Sequence, residues 1–284
     1  LEELNWVNAL EWADSIGVDI IHSSLGYSLF DTLQGDYSYE DMDGKSTIIT
    51  IAAQLATERG IFVTNSAGNS GNMPWYHITA PCDGKDVLCV GAVDSFRQIT
   101  SFSSRGPSSD DRIKPELCAM GRNNTIPNAK GILRTGSGTS FSGPIIAGMV
   151  ACLMSEHTDK SNQQIFEAIL KSCHKYNNPD FEYGYGIPDV LKADSILNNI
   201  PSVGTSKINS LRLSVTPNPV SDILKIQSEP ESKYTLTNHL GMVVKSGTIH
   251  NWINFIDISE FSKGIYTFKV INGIRNSSKK IILK

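Results

Sequence analysis

The chain has 284 residues, of which 40% are apolar and 19% charged, a balance that fits folded cores and excludes a disordered tail or a collagen-like repeat. At roughly 100–200 residues per domain, the length suits two domains. The formal net charge of −4 gives no basis for a nucleic-acid partner. The longest apolar run, residues 145–154, is about half the roughly 20 residues that a membrane-spanning helix needs, so no membrane span is expected.

Residues 1–210 carry 15 basic and 24 acidic side chains, and residues 211–284 carry 10 and 5, which suggests two units under different constraints. Trp6, Leu10 and Ala13 recur at helical spacing before Gly17, and residues 18–21 read as a short buried strand. The unit then repeats. Ser46 is the expected cap of a helix carrying Ile48, Ile51, Ala52 and Leu55 on one face, Gly60 ends it, and Ile61-Phe62-Val63 follows. Each glycine supplies the left-handed residue at which a helix turns into a strand. Residues 87–93 form a third apolar run. Helices alternating with fully apolar strands point to an α/β fold, a parallel sheet flanked by helices.

Ser161-Asn162-Gln163-Gln164 is a capping-box pattern, opening a helix through Ile165, Ala168 and Ile169 toward Cys173. Residues 198–210 are polar and hold Gly, Pro and Ser, so they read as a linker between domains at 1–197 and 211–284. Beyond it Tyr266, Phe268 and Val270 alternate with Thr267 and Lys269, then Asn272-Gly273 gives a hairpin signal before Ile281-Ile282-Leu283. A small C-terminal antiparallel β-sandwich is expected.

The five cysteines show no C-x-x-C and no metal-ligand spacing. Cys89, Cys118 and Cys152 lie in apolar stretches and read as small buried core residues. A Cys82–Cys89 bridge stays open for an oxidising compartment.

Three apolar-to-glycine junctions stand out: Ser23-Ser24-Leu25-Gly26, Asn65-Ser66-Ala67-Gly68-Asn69, and Gly136-Ser137-Gly138-Thr139-Ser140 opening into the most apolar helix. In a parallel α/β sheet the carboxyl ends of the strands form the binding crevice, so these loops should gather on one edge. A serine at a buried helix N-terminus has a free N–H and a positive dipole end beneath it, which suits a nucleophile whose reaction creates an oxyanion. Competing motifs fail. Gly44-Lys45-Ser46 lacks the first glycine of a P-loop, no G-x-S-x-G occurs, and Gly136-x-Gly138 lacks the third glycine of a dinucleotide fingerprint.

Gly138-Thr139-Ser140 followed by Gly143-Pro144 closely resembles the serine motif of the subtilisin-like proteases. Ser24-Leu25-Gly26 resembles their substrate-pairing strand and Ala67-Gly68-Asn69 their oxyanion loop. Residues 102–107 and Lys114-Pro115-Glu116 resemble the segment before the active serine, and the motifs keep family order over residues 5–195. The resemblance implies a partial subtilisin-like fold, a polypeptide substrate and Ser140 as nucleophile. Asn69 and the Ser140 N–H would then be the oxyanion donors. Ser24, Leu25, Gly26, Ala67, Gly68 and Thr139 form the implied substrate-binding set. Calcium occurs by family habit, yet no D-x-D-x-D-G loop is present, so no metal site and no cofactor are read.

The family's Asp-Ser/Thr-Gly and His-Gly-Thr motifs do not occur. None of the six histidines is followed by Gly-Thr, and His22 reads as a strand residue rather than a base. The expectation is a secreted serine endopeptidase whose Asp and His lie upstream of Leu1, so that this chain alone hydrolyses peptides negligibly. The alternatives are a catalytically inactive binding protein on the same fold, and a surface-binding β-sandwich protein. Finally, Pro217-Asn218-Pro219, Ile223-Leu224-x-Ile226, Asn238-x-x-Gly241, Ile256-Asp257-Ile258 and Gly264-Ile265-Tyr266 resemble the C-terminal sorting domain of type IX secretion. That resemblance implies the type IX secretion machinery as partner, export across the bacterial outer membrane, and a secreted or cell-surface location.

Overall fold

The computed structural model describes residues 1–30, 35–200, 211, 213–273 and 275–284. The chain divides into two compact units, Leu1–Pro201 and Ser202–Lys284. Most of the expected linker, residues 201–210, lies outside the described residues.

The first unit is built on a parallel four-stranded sheet in sequential order: β1 (Ile20–Ser23), β2 (Phe62–Ser66), β3 (Leu88–Val93) and β4 (Leu117–Met120). Every residue of β2 and β3 is buried, because helices cover both faces. On one face α1 (Glu2–Ile16) and α2 (Ile48–Glu58) pack Trp6, Leu10, Ile49 and Ala53 over Val63 and Val87. On the other, α3 (Thr139–Glu156), α4 (Asn162–Ser172) and α5 (Val190–Asn199) bring Ile146, Val150, Ile165 and Leu197 onto Phe62, Leu88, Val90 and Leu117. Phe62 and Val63 thus serve opposite cores, as the two-residue period of a strand requires. Strands β5 (Asn124–Pro127) and β6 (Leu133–Gly136) form a hairpin ahead of α3.

Gly17 ends α1 in the left-handed conformation, with φ of 77°. The capping box at Ser161 forms with both of its hydrogen bonds. Helix α2 departs from expectation. Its cap is Thr47, whose hydroxyl accepts from the Thr50 N–H, while Ser46 Oγ donates to Asp43. The face packed on the sheet is Ile49, Ala52, Ala53 and Ala56, and Ile48, Ile51 and Leu55 are exposed. Small alanines let the helix axis approach the sheet closely, which the larger aliphatic side chains would prevent.

Cys82 and Cys89 are joined in a disulfide. Cys118 is buried as expected, but Cys152 is exposed on α3, since α3 buries Val150 and Leu153 and turns residue 152 outward. Beneath the sheet, Lys114 and Glu116 form a buried ion pair at 2.5 Å. Lys114 Nζ also donates to the carbonyls of Gly84 and Val87, and Glu116 Oε2 accepts from the Cys89 N–H. The pair therefore clamps the entry to β4 against β3 and the loop before it.

The second unit holds two antiparallel sheets. One has the order β10 (Val243–Thr248), β9 (Lys233–Asn238), β12 (Gly264–Asn272), β13 (Arg275–Leu283). The other runs β11 (Ile253–Asp257), β8 (Ile223–Gln227), β7 (Ser214–Thr216). Leu224, Ile226 and Ile256 from one sheet share a core with Leu236, Phe268, Val270 and Ile281 from the other. Tyr266, Phe268 and Val270 point inward and Thr267 and Lys269 outward, as their alternation predicts, and β12 pairs with β13 out to Asn272 and Arg275.

Candidate active site

The three expected loops meet at the carboxyl edge of the parallel sheet. Residues 24–26 leave β1, residues 67–69 leave β2, and α3 begins at Thr139 behind Gly138, whose φ of 154° favours glycine. Hydrogen bonds join the last two. Asn69 Oδ1 accepts from the Thr139 N–H at 2.9 Å and from Thr139 Oγ1 at 3.1 Å. The Gly68 N–H donates to Thr139 Oγ1 at 3.2 Å, and Ser66 Oγ donates to the Thr139 carbonyl at 2.9 Å. A backbone N–H can only donate, so the Asn69 atom facing it must be the oxygen. The Nδ2 group is then aimed elsewhere and has no partner among the described residues.

A methyl group at Gly138 would sit 3.6 Å from both Asn69 Nδ2 and Asn69 Oδ1 and 3.8 Å from the Ser140 nitrogen, so the Asn69 amide and the Ser140 N–H lie beside the same glycine. Ser140 is the second residue of α3, where a backbone N–H has no intrahelical acceptor and the helix dipole is positive. The Ser140 hydroxyl is partly exposed and has no hydrogen-bond partner among the described residues.

Ser24, Leu25 and Gly26 are exposed. The Leu25 carbonyl is held by Asn65 Nδ2 at 3.1 Å and its N–H by Ser23 Oγ at 3.2 Å. Neither peptide group of Gly26 has a partner among the described residues, so it offers a free donor and acceptor at a strand edge. Ala67 and Thr139 differ from the rest of the expected substrate-binding set. Ala67 is fully buried with its N–H donated to Val90, and Thr139 is 1% exposed with its hydroxyl spent on Asn69 and Gly68. They shape the crevice from behind and do not present side chains to it. Ser104, from the expected segment before the serine, backs the oxyanion loop by donating its N–H to Gly68 O and accepting from the Ser70 N–H.

Sequence reasoning missed Thr79. It is 7% exposed and its hydroxyl has no partner. A Cβ at Gly26 would fall 2.1 Å from Thr79 Oγ1, and one at Gly68 3.3 Å from it. Thr79 thus fills the gap between the two substrate loops, and no local pattern around it signals that position. His22 lies beneath Ser24, with Nε2 2.9 Å from Ser24 Oγ and Nδ1 2.9 Å from Thr64 Oγ1. Burial holds its imidazole below the ordinary histidine range. Among the described residues no group of three or more His, Cys, Asp or Glu is placed to hold a metal ion. No helix of the described residues is long and apolar enough to cross a membrane.

Comparison with known proteins bears on this geometry. Residues 2–186 match the model of the Subtilase family, and residues 214–284 match that of the Secretion system C-terminal sorting domain. The chain is 31% identical over 193 residues to Subtilisin of Bacillus pumilus, with 67% of this chain and 62% of the relative covered. Against Subtilisin E of Bacillus subtilis (strain 168) the identity is again 31%, covering 67% of this chain and 45% of the relative. The chain thus spans about half to three-fifths of these relatives' length. The solved structure of the Prenylagaramide maturation protease PagA superposes with a TM-score of 0.54 at 26% identity, covering 69% of this chain and 67% of that one. The second unit is a sorting domain that directs export across the outer membrane, to the cell surface or the medium.

Proposed function

Because the chain belongs to the subtilase family, we propose that it is the nucleophile-bearing part of a serine endopeptidase that hydrolyses polypeptides through an acyl-enzyme. Ser140 Oγ attacks the scissile carbonyl, and the oxygen that becomes negative enters the space bordered by Asn69 Nδ2 and the Ser140 N–H. The substrate backbone adds as a strand along residues 24–26, where Gly26 has both peptide groups free. A general base must accept the Ser140 proton and return it to the leaving amine. No histidine among the described residues meets the Ser140 hydroxyl, so this reading requires a base and a carboxylate partner that those residues do not supply. The type IX secretion machinery recognises the C-terminal unit.

The observation that carries this reading is that the Asn69 amide and the Ser140 N–H lie beside the same glycine, next to the Ser140 hydroxyl. A protein that only binds peptides has no use for two donors aimed beside a serine hydroxyl. The test is reaction of the full-length protein with a fluorophosphonate. One adduct at Ser140, lost in Ser140→Ala together with peptide hydrolysis, is the expected result. The 284-residue chain alone should turn over about 10⁶-fold more slowly, the cost of removing the base in this mechanism as measured in the family. Full-length protein that binds peptides without forming the adduct would establish the inactive binding alternative instead.

A further inference from the structure

Pro144 lies in the first turns of α3, four residues after Ser140. Proline has no N–H, so the Ser140 carbonyl lacks the donor that an α-helix supplies from residue i+4. The structure places a replacement there. Ser24 Oγ is 3.4 Å from the Ser140 carbonyl oxygen and 2.9 Å from His22 Nε2. His22 Nδ1 is in turn 2.9 Å from Thr64 Oγ1, which stands 3.4 Å from the Ile21 carbonyl. The ring lies so close to α3 that a Cβ at Gly143 would fall 2.3 Å from its Cε1. Gly143, already noted beside Pro144 in the sequence, therefore makes room for His22 within the helix that carries the nucleophile.

Resting on Ser140 as the nucleophile, we propose that His22 is a positioning residue for it. Through the Ser24 hydroxyl, His22 satisfies the carbonyl that Pro144 orphans and so fixes the first turn of α3. The proton arithmetic gives the device its direction. Ser24 has one hydroxyl proton, and His22 Nε2 at 2.9 Å, the Ser140 carbonyl at 3.4 Å and Ser66 Oγ at 3.4 Å lie within its reach. When Nε2 carries no proton, it takes the Ser24 proton and the Ser140 carbonyl goes without. When Nε2 carries a proton, it donates to Ser24 Oγ, and the Ser24 proton is free to turn to the Ser140 carbonyl. Thr64 accommodates both states, accepting from Nδ1–H or donating to Nδ1. The groups facing the ring are Thr64 and Ser66 from β2, Ser24 beside it and Gly143 from α3, while Trp6, Ala9 and Leu10 of α1 line a cavity shared with it. None of them is ionisable near neutral pH. Burial favours the neutral ring, and the neutral ring provides the second arrangement as its Nε2–H tautomer, with Thr64 Oγ1 donating to Nδ1.

The test uses full-length protein. His22→Ala should lower kcat about 3–10-fold, the range of one hydrogen bond, with KM unchanged. His22→Gln keeps an amide near the Nε2 position, so it should restore kcat to within about twofold. Ser24→Ala and the double variant with His22→Ala should lose no more than His22→Ala alone, as members of one chain do. If His22→Ala, His22→Gln and wild type share one kcat, the proposal is overturned. Should His22→Ala fail to fold, the imidazole titration followed by NMR decides in its place. Its midpoint must move between wild type and Ser24→Ala, and an unmoved midpoint overturns the coupling. Ser140→Ala run alongside separates the two readings, since activity surviving in that variant refutes Ser140 as nucleophile while the NMR result still judges the His22–Ser24 coupling.

Discussion

Asn69 owes its orientation to Thr139, a residue that is buried away from the crevice. Two donors fill the Asn69 oxygen, and the amide group is left free for another acceptor. Asn69→Ala should lower kcat of the full-length protein about 10²–10³-fold with little change in KM, a magnitude measured for an oxyanion donor in this family. The kcat/KM split from steady-state kinetics checks it. A Thr139→Val change should reproduce part of that loss, because the hydroxyl that pins Asn69 would be gone while the buried volume stays. Ser140 and Asn69 were legible because their signals are contiguous: a glycine pair before a serine, and Ala-Gly-Asn after an apolar run. Thr79 and the Thr64–His22–Ser24 chain were not. His22 and Thr64 lie 42 residues apart, and nothing local distinguishes a threonine in a crevice from one in a turn. His22 was rightly placed on the strand, but its contacts to Ser24 and α3 exist only once the loops converge.

The elements of the sheet were legible from their uninterrupted apolar runs, and the helix ends from Gly17 and Ser161. The face of α2 was not, since Ile49 and the small Ala52, Ala53 and Ala56 meet the sheet while the larger Ile48, Ile51 and Leu55 do not. The buried Lys114–Glu116 pair illustrates a further limit. Lys-Pro-Glu reads as a motif, but its physical job, bridging β4 to β3 and the loop before it, depends on register. Burial pulls Lys114 down and Glu116 up from their ordinary ranges, and mutual attraction opposes both shifts. Lys114→Met leaves Glu116 buried without its cation and two carbonyls, of Gly84 and Val87, without their donor. Such a variant should lose about 3–5 kcal/mol of stability, read as a lower urea midpoint for the subtilase unit.

For the molecule as a whole, the two units carry opposite charge balances, and their textures differ as helix-bearing α/β and alternating β. Charge and periodicity made that division visible, while the described residues leave the expected linker mostly outside view. The β-sandwich residues form their own core. Deleting residues 211–284 should therefore leave the protein trapped in the periplasm with its fluorophosphonate-reactive serine intact. Fractionation of cells expressing the shortened protein measures both at once.

The Cys82–Cys89 bridge has a bearing on timing as well as on packing. Cys82 and Cys89 share one buried cluster with Ile78 and Ala67, so the bond stands directly behind the loop that presents Asn69. Disulfides persist in oxidising compartments and are rare in the cytoplasm. A newly made copy therefore carries two thiols behind that loop while it is still surrounded by the proteins its own cell needs. The packing behind that loop is completed only once the chain has reached an oxidising compartment.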